Sequence, residues 1–151
     1  MTIREFESKD QRQIKELITD ILSKEFFIDQ QAYPYYDLDS IERVYGGERE
    51  SFFVCEENGR ISGTIAVKEE SKKTAILRRF FVMTDCRGRG YGRLLIDSAL
   101  EFCKQKNYSE VIFHVSNAMK SATELCVKKG FHEKQRLDLG GVKIIKFSLT
   151  L

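Results

Sequence analysis

Three alternating glycines, Gly88, Gly90 and Gly92, sit among Arg87, Arg89, Tyr91 and Arg93 in one short stretch of the chain. These residue types at a strand-to-helix junction suit an anion. The first amides of a helix have no intrahelical acceptor, the helix dipole is positive there, and glycine lets the backbone approach a phosphate closely. The alternative is a tight loop carrying solvated arginines. Two phosphate loops are excluded by spacing. A dinucleotide fingerprint needs a third glycine three positions after Gly90, where Arg93 stands, on the first strand of a βαβ unit with an acidic residue about 20 positions on. A P-loop needs Gly-Lys-Ser/Thr at its end, and this segment has none. Elsewhere, Cys55, Cys86, Cys103 and Cys126 are widely spaced without a CxxC pair, and only His114 and His132 accompany them. Neither a zinc site nor a disulfide framework is expected, and free thiols behave as small hydrophobes. His114 has a side chain suited to general-base work near neutrality, or a structural place on its strand.

The elements that must position these residues follow from periodicity. Ile3 to Phe6 predicts a first strand. Asp10 is a candidate N-cap for a helix whose apolar positions are Ile14, Leu17, Ile18, Ile21, Leu22 and Phe26. Tyr33-Pro34-Tyr35-Tyr36-Asp37 breaks it, and Ser40 to Tyr45 reads as a short second helix before Gly46-Gly47. Ser51–Glu56 and Arg60–Glu69 form a hairpin about Asn58-Gly59, and Thr74–Met83 is a third long strand. The glycine cluster opens a helix with Tyr91, Leu94, Leu95, Ala99, Phe102 and Cys103 on one face. A strand at Val111–Val115 follows, then a helix bearing Met119, Ala122, Leu125 and Cys126 that ends at Gly130. Phe131–Asp138 and Val142–Leu149 close the chain as two strands. One domain over residues 1–151 is expected, of α/β (α+β) class, with a mixed sheet and helices packed on it. The helix between the fourth and fifth strands is a crossover, so those strands should be parallel neighbours.

Arg87, Gly90 and Gly92 match the Arg/Gln-x-x-Gly-x-Gly/Ala signature, and the chain here resembles the GNAT acetyltransferases. Leu77-Arg78-Arg79-Phe80-Phe81-Val82 resembles that family's fourth strand, and Asn58-Gly59-Arg60-Ile61-Ser62-Gly63-Thr64 its preceding hairpin. Ala122-x-x-Leu125-Cys126-x-Lys128-x-Gly130-Phe131 is similar to its later helix and following strand. The resemblance spans roughly residues 50 to 150, and earlier residues match only in element order. It implies a mostly antiparallel sheet of six to seven strands with about four helices, its fourth and fifth strands parallel and splayed. It also implies acetyl-CoA as cosubstrate. Main-chain groups of Phe81 and Val82 would pair with the pantetheine arm. Amides from Arg87 through Arg89, Gly90 and Tyr91 to Gly92, with the Arg87 and Arg93 side chains near, would hold the pyrophosphate. Many relatives carry a tyrosine acid where this chain has Cys126, so that thiol is either the acid or a packing residue. Relatives often carry a glutamate where Ile76 stands, which leaves His114 or water as base. Tyr33, Tyr35, Tyr36, Asp37 and Asp39 fall on the substrate wall. Aromatics with carboxylates there could hold a cationic amine, or the tyrosines pack a turn between helices.

Composition narrows the class. The 151 residues carry a formal net charge of +2, with Lys and Arg scattered among Asp and Glu. No basic face or aromatic platform supports nucleic-acid binding. No apolar run reaches the roughly 18 residues of a membrane span, and the first residues carry no leader pattern, so a cytoplasmic location is expected. Edge strands make a homodimer an option. Two functions remain. One is acetyl transfer to a primary amine of a small molecule or protein. The other is a non-catalytic acyl-CoA-binding module.

Overall fold

The structure is a computed structural model that describes residues 1–26 and 34–151. Strand β1 (Thr2–Glu5) leads through a 3-10 turn into α1 (Gln11–Glu25). A second 3-10 turn at Tyr36–Asp39 precedes the one-turn helix α2 (Ile41–Val44). Then come β2 (Ser51–Glu57), β3 (Arg60–Glu69), β4 (Thr74–Val82), α3 (Tyr91–Gln105), β5 (Glu110–Ser116), α4 (Lys120–Lys128), β6 (His132–Leu139) and β7 (Val142–Thr150). The seven strands form one sheet in the order β1-β2-β3-β4-β5-β7-β6. Only β4 and β5 run parallel; every other neighbour pair is antiparallel. The expected mixed sheet with a parallel fourth and fifth strand is what the chain forms.

Helices cover both faces. On one, α1 buries Ile14, Leu17, Ile18, Ile21 and Leu22 against Val54, Ala66 and Phe81. On the other, Leu95, Ile96, Ala99 and Cys103 of α3 meet Cys55, Ile65, Val67, Ala75 and Leu77. Neighbours such as Val54 and Cys55 thus go to opposite cores, as strand alternation requires. Each fully buried Ile or Leu contributes about 1.5–3 kcal/mol. Leu94 departs from its expected place on the α3 face and is exposed. Asp10 directly precedes α1 but does not cap it. Its carboxylate accepts the Glu7 N–H at 2.9 Å and pairs with Arg4 at 2.8 Å. No described helix is long and apolar enough to cross a membrane.

Alternation fails at one point in β4, and this shapes the site. Ala66 faces Arg78 and Thr64 faces Phe81, so Ile65 alone lies opposite Arg79 and Phe80. The extra residue is a β-bulge, and Arg79 takes it up with φ +52. Ala75 and Leu77 point to the α3 core, whereas Phe81 points to the α1 core. Strict strand alternation would put Arg78 and Arg79 on opposite faces. The bulge instead turns both toward one cavity.

Candidate active site

β4 and β5 pair only from Thr74–Leu77 against Glu110–Phe113. Beyond that, β5 continues with β7 through His114, Val115 and Ser116, while β4 continues with β3. The strands therefore part into a V with an unpaired β4 edge. The Met83 N–H donates to Ser62 O at 2.8 Å, so alternation points the Phe81 main chain to β3 and the Val82 main chain into the V. Of the two residues expected to offer main-chain groups there, Val82 is the one whose main chain is directed into the V, and its carbonyl accepts the Arg87 Nε at 3.0 Å. Phe81 lines the opening with its side chain.

A groove of about 570 Å³ runs from the V along the start of α3 to α4. Gly88 and Gly90 have φ +80 and +83, a region costly for residues with a Cβ. A Cβ built on either meets nothing within 4 Å. Open space thus lies over the loop where an anion would sit. Gly90 is the N-cap of α3, and the Leu94 N–H donates to the Gly90 carbonyl at 3.1 Å. The amides of Tyr91, Gly92 and Arg93 are the ones a helix start leaves without intrahelical acceptors. Gly92 is more closely surrounded: a Cβ there would touch Phe80 Cζ at 3.4 Å and Leu125 at 3.8 Å, where α3 meets β4 and α4. The backbone suits the phosphate-binding expectation, but the arginine side chains do not converge on it. Arg87 forms a two-pronged ion pair with Glu25 at the end of α1, and its Nε donates to Val82 O at 3.0 Å. Arg89 turns to Glu57 at 3.6 Å, on the hairpin, and Arg93 is exposed on the first turn of α3.

On the other side of the V lies a second cavity of about 330 Å³. The two meet at Phe80, Phe81 and Met119, which line both. Tyr36 borders the second cavity and is 70% exposed. Asp37 also borders it, but its carboxylate is committed internally. It accepts Arg79 Nε at 2.9 Å, Arg79 Nη2 at 2.5 Å and the Tyr45 hydroxyl at 2.6 Å. Burial pushes the Asp37 carboxyl up, and the bonds from Arg79 and Tyr45 outweigh it, holding the group below the usual carboxylate range. Asp37 is therefore not a free anion for a cationic amine, because a guanidinium from the facing strand already neutralises it. Tyr33 lies outside the described residues.

His114 lines the same cavity, half-buried on β5. Burial and then Lys146 lower its pKa from the ordinary value, Glu70 opposes them, and Arg78 adds a smaller lowering effect. The imidazole is thus neutral at neutral pH and able to accept a proton. Cys126 is not brought to the site. It is fully buried in the core beneath α4, and burial pushes its thiol up to about 12. Its neighbours on α4, including Ser121, Ala122 and Leu125, line the groove instead. Ala122 and Cys126 are one turn apart on the same side of α4: Cys126 is sealed in the core, whereas Ala122 and Leu125 touch that core and also line the groove.

Residues 15–131 match the model of the acetyltransferase (GNAT) family. The chain belongs to this family. Among curated proteins, it is 33% identical over 105 residues to an uncharacterized N-acetyltransferase of Methanocaldococcus jannaschii, covering 66% of this chain and 46% of that protein. It is 31% identical over 102 residues to N-acetyltransferase family 8 member 2 of Rattus norvegicus, covering 64% and 45%. The chain spans about half the length of the curated relatives it matches. An acetyltransferase of the GNAT family from Staphylococcus aureus MU50 superposes with a TM-score of 0.87 at 24% identity, over 99% of this chain and 98% of that one. At that identity the likeness concerns the fold.

Within this GNAT fold, sequence reasoning missed the Arg79–Asp37–Tyr45 network. Arg79 and Asp37 are 42 positions apart, and only the bulge brings them together. A signal existed in Arg78-Arg79 itself, since an arginine at a core-facing position of a strand demands a buried acceptor.

Proposed function

We propose that this GNAT chain is an N-acetyltransferase that takes acetyl-CoA as donor and a primary amine, of a small molecule or a protein, as acceptor. The observation that carries the reading is the meeting of two cavities at Phe80, Phe81 and Met119, where the sheet splays. The loop from Arg87 to Gly92 offers backbone amides to a pyrophosphate, and Val82 offers its main chain to an extended amide chain. Acetyl-CoA, when bound, supplies an acyl group on a thioester. A primary amine is protonated near neutrality and must lose a proton before it attacks a carbonyl. Neutral His114 in the second cavity is placed to accept it, directly or through water. The leaving thiolate takes its proton from solvent, because Cys126 does not reach the groove.

Cys126 and Ile76, which stand where relatives have an acid and a base, also favour a second reading, an acyl-CoA-binding module without turnover. One experiment covers both. A ligand at a hundredfold excess over Kd stabilises a protein by about 2.7 kcal/mol, and each kcal/mol moves the melting temperature of a domain this size by about 2–4 °C. Acetyl-CoA and CoA should each raise it by about 5–10 °C, NAD and ATP much less, and Gly90→Val should abolish the shift. CoA release with an amine panel then separates enzyme from module. A flat response to acetyl-CoA refutes both.

A further inference from the structure

The second cavity has an unusual charge for a site that must receive an amine. Its titratable lining consists of Arg78, Arg79, Asp37, His114 and Tyr36. Among the described residues Asp37 is the one carboxylate in that lining, and Arg79 neutralises it. His114 is neutral at neutral pH, and Lys146 lies opposite it on β7. Arg78 is half-buried and has no ion-pair partner among the described residues. Among the described residues its positive charge is therefore unpaired, the nearby carboxylate Glu70 acting on His114 without forming an ion pair, and in a partly buried cavity charges interact more strongly than in water. Arg79 supplies an independent observation. Its residue exposure is 9%, and Nη1 is a buried donor without a partner among the described residues, although Nε and Nη2 are both engaged. Buried donors are seldom left unmet, and an unmet one often marks a group supplied from outside the chain.

A purely cationic acceptor would meet repulsion here and find no free carboxylate among the described lining residues. An acceptor carrying its own anionic group close to the amine would be drawn in. The guanidinium fork matches a carboxylate in shape and gives strong, directional hydrogen bonds. The cavity of about 330 Å³ suits an acceptor of amino-acid size. Building on the acetyltransferase reading, we propose that the acceptor is an amine bearing a carboxylate, and that Arg78 is the specificity-determining residue that binds it. The carboxylate sits toward Arg78 and the buried guanidinium edge of Arg79, and the amine toward His114 and the junction of the cavities. The bulge in β4 makes this possible, because it puts consecutive arginines on one side of the strand.

The test compares matched acceptors that differ only in the carboxylate: free amino acids, their amides, and the corresponding decarboxylated amines. Steady CoA release with acetyl-CoA as donor is the readout. The carboxylate-bearing member of each pair should have the higher kcat/KM by about ten- to a hundredfold, the worth of a charge-assisted hydrogen bond. In Arg78→Ala that preference should collapse toward unity, chiefly through KM, and Arg78→Lys should restore part of it. Equal or greater kcat/KM for the decarboxylated amines, or an undiminished preference in Arg78→Ala, overturns the proposal. A second measurement does not depend on turnover. With CoA present, N-acetylated amino acids should raise the melting temperature of the wild type, but not of Arg78→Ala, and should do so more than their amides. If no amine is turned over, the acetyltransferase reading fails, and this melting comparison alone decides whether the cavity binds a carboxylate. Equal shifts with acids and amides would overturn that as well.

Discussion

Replacing Asp37 by asparagine should destabilise the protein more than it alters the chemistry. The side chains of Asp37 and Arg79 are 5% and 7% exposed, and the carboxylate holds two guanidinium bonds and the Tyr45 hydroxyl. Removing one charge from a buried pair costs about 3–5 kcal/mol, because the other stays buried without its counter-charge. Asparagine keeps one acceptor oxygen, so the lower end, about 3 kcal/mol, is expected. At about 2–4 °C per kcal/mol the melting temperature should fall by about 6–12 °C. The pH dependence has a definite sign. The folded-state pKa of Asp37 lies below its ordinary value, so its contribution is fully present above the unfolded pKa of about 3.9 and is lost as pH falls through the folded pKa. The gap between wild type and Asp37→Asn should therefore be constant from about pH 5 to 7 and narrow below about pH 4. Thermal unfolding followed by circular dichroism across that range measures both quantities. A variant that melts within about 2 °C of the wild type, yet binds acceptor amines poorly, would make Asp37 a free carboxylate and refute the argument.

Two further substitutions test the chemistry. With His114 as base, kcat/KM should fall as pH drops through a value below the ordinary 6.5, since the imidazole must be neutral to accept a proton, and His114→Asn should remove that limb; an unchanged pH–rate profile excludes the residue. Cys126→Ala should cost about 1 kcal/mol of stability with kcat within about twofold of the wild type, and Cys126→Tyr should destabilise by about 1–3 kcal/mol through overpacking. A tenfold loss of kcat in Cys126→Ala at unchanged melting temperature would return the thiol to the reaction.

What the sequence made legible is what local rules govern. Asn58-Gly59 announced a hairpin, and both residues have positive φ, +53 and +77, as its tight turn requires. The crossover through α3 implied the parallel β4–β5 pair, because a parallel connection needs an intervening element of that length. The glycine loop was readable because the conformation of Gly88 and Gly90 constrains residue type directly. What could not be read depends on partners distant in sequence. Arg87 looked like a phosphate ligand, but Glu25, 62 positions earlier, holds its guanidinium. Cys126 fell on a recognisable motif, but which face of α4 met the sheet decided its burial.

The bulge at Arg79 shows best how one local departure redirects a site. Strict alternation would have sent Arg79 toward the apolar α3 core with Leu77, where an unpaired guanidinium would be costly. One extra residue in β4 turns it to Asp37 and leaves Arg78 on the same side. The ion pair removes Asp37 from the second cavity as a free anion, and Arg78 remains there without an ion-pair partner among the described residues. The same bulge resets the alternation for Phe80 to Val82, sending Phe80 to the α3 side, where it packs against Gly92, and Phe81 to the α1 core. The fit of α3 to the sheet, the direction of the Val82 main chain and the charge of the second cavity thus depend on one backbone irregularity. A change that straightened β4 would be expected to disturb all three together.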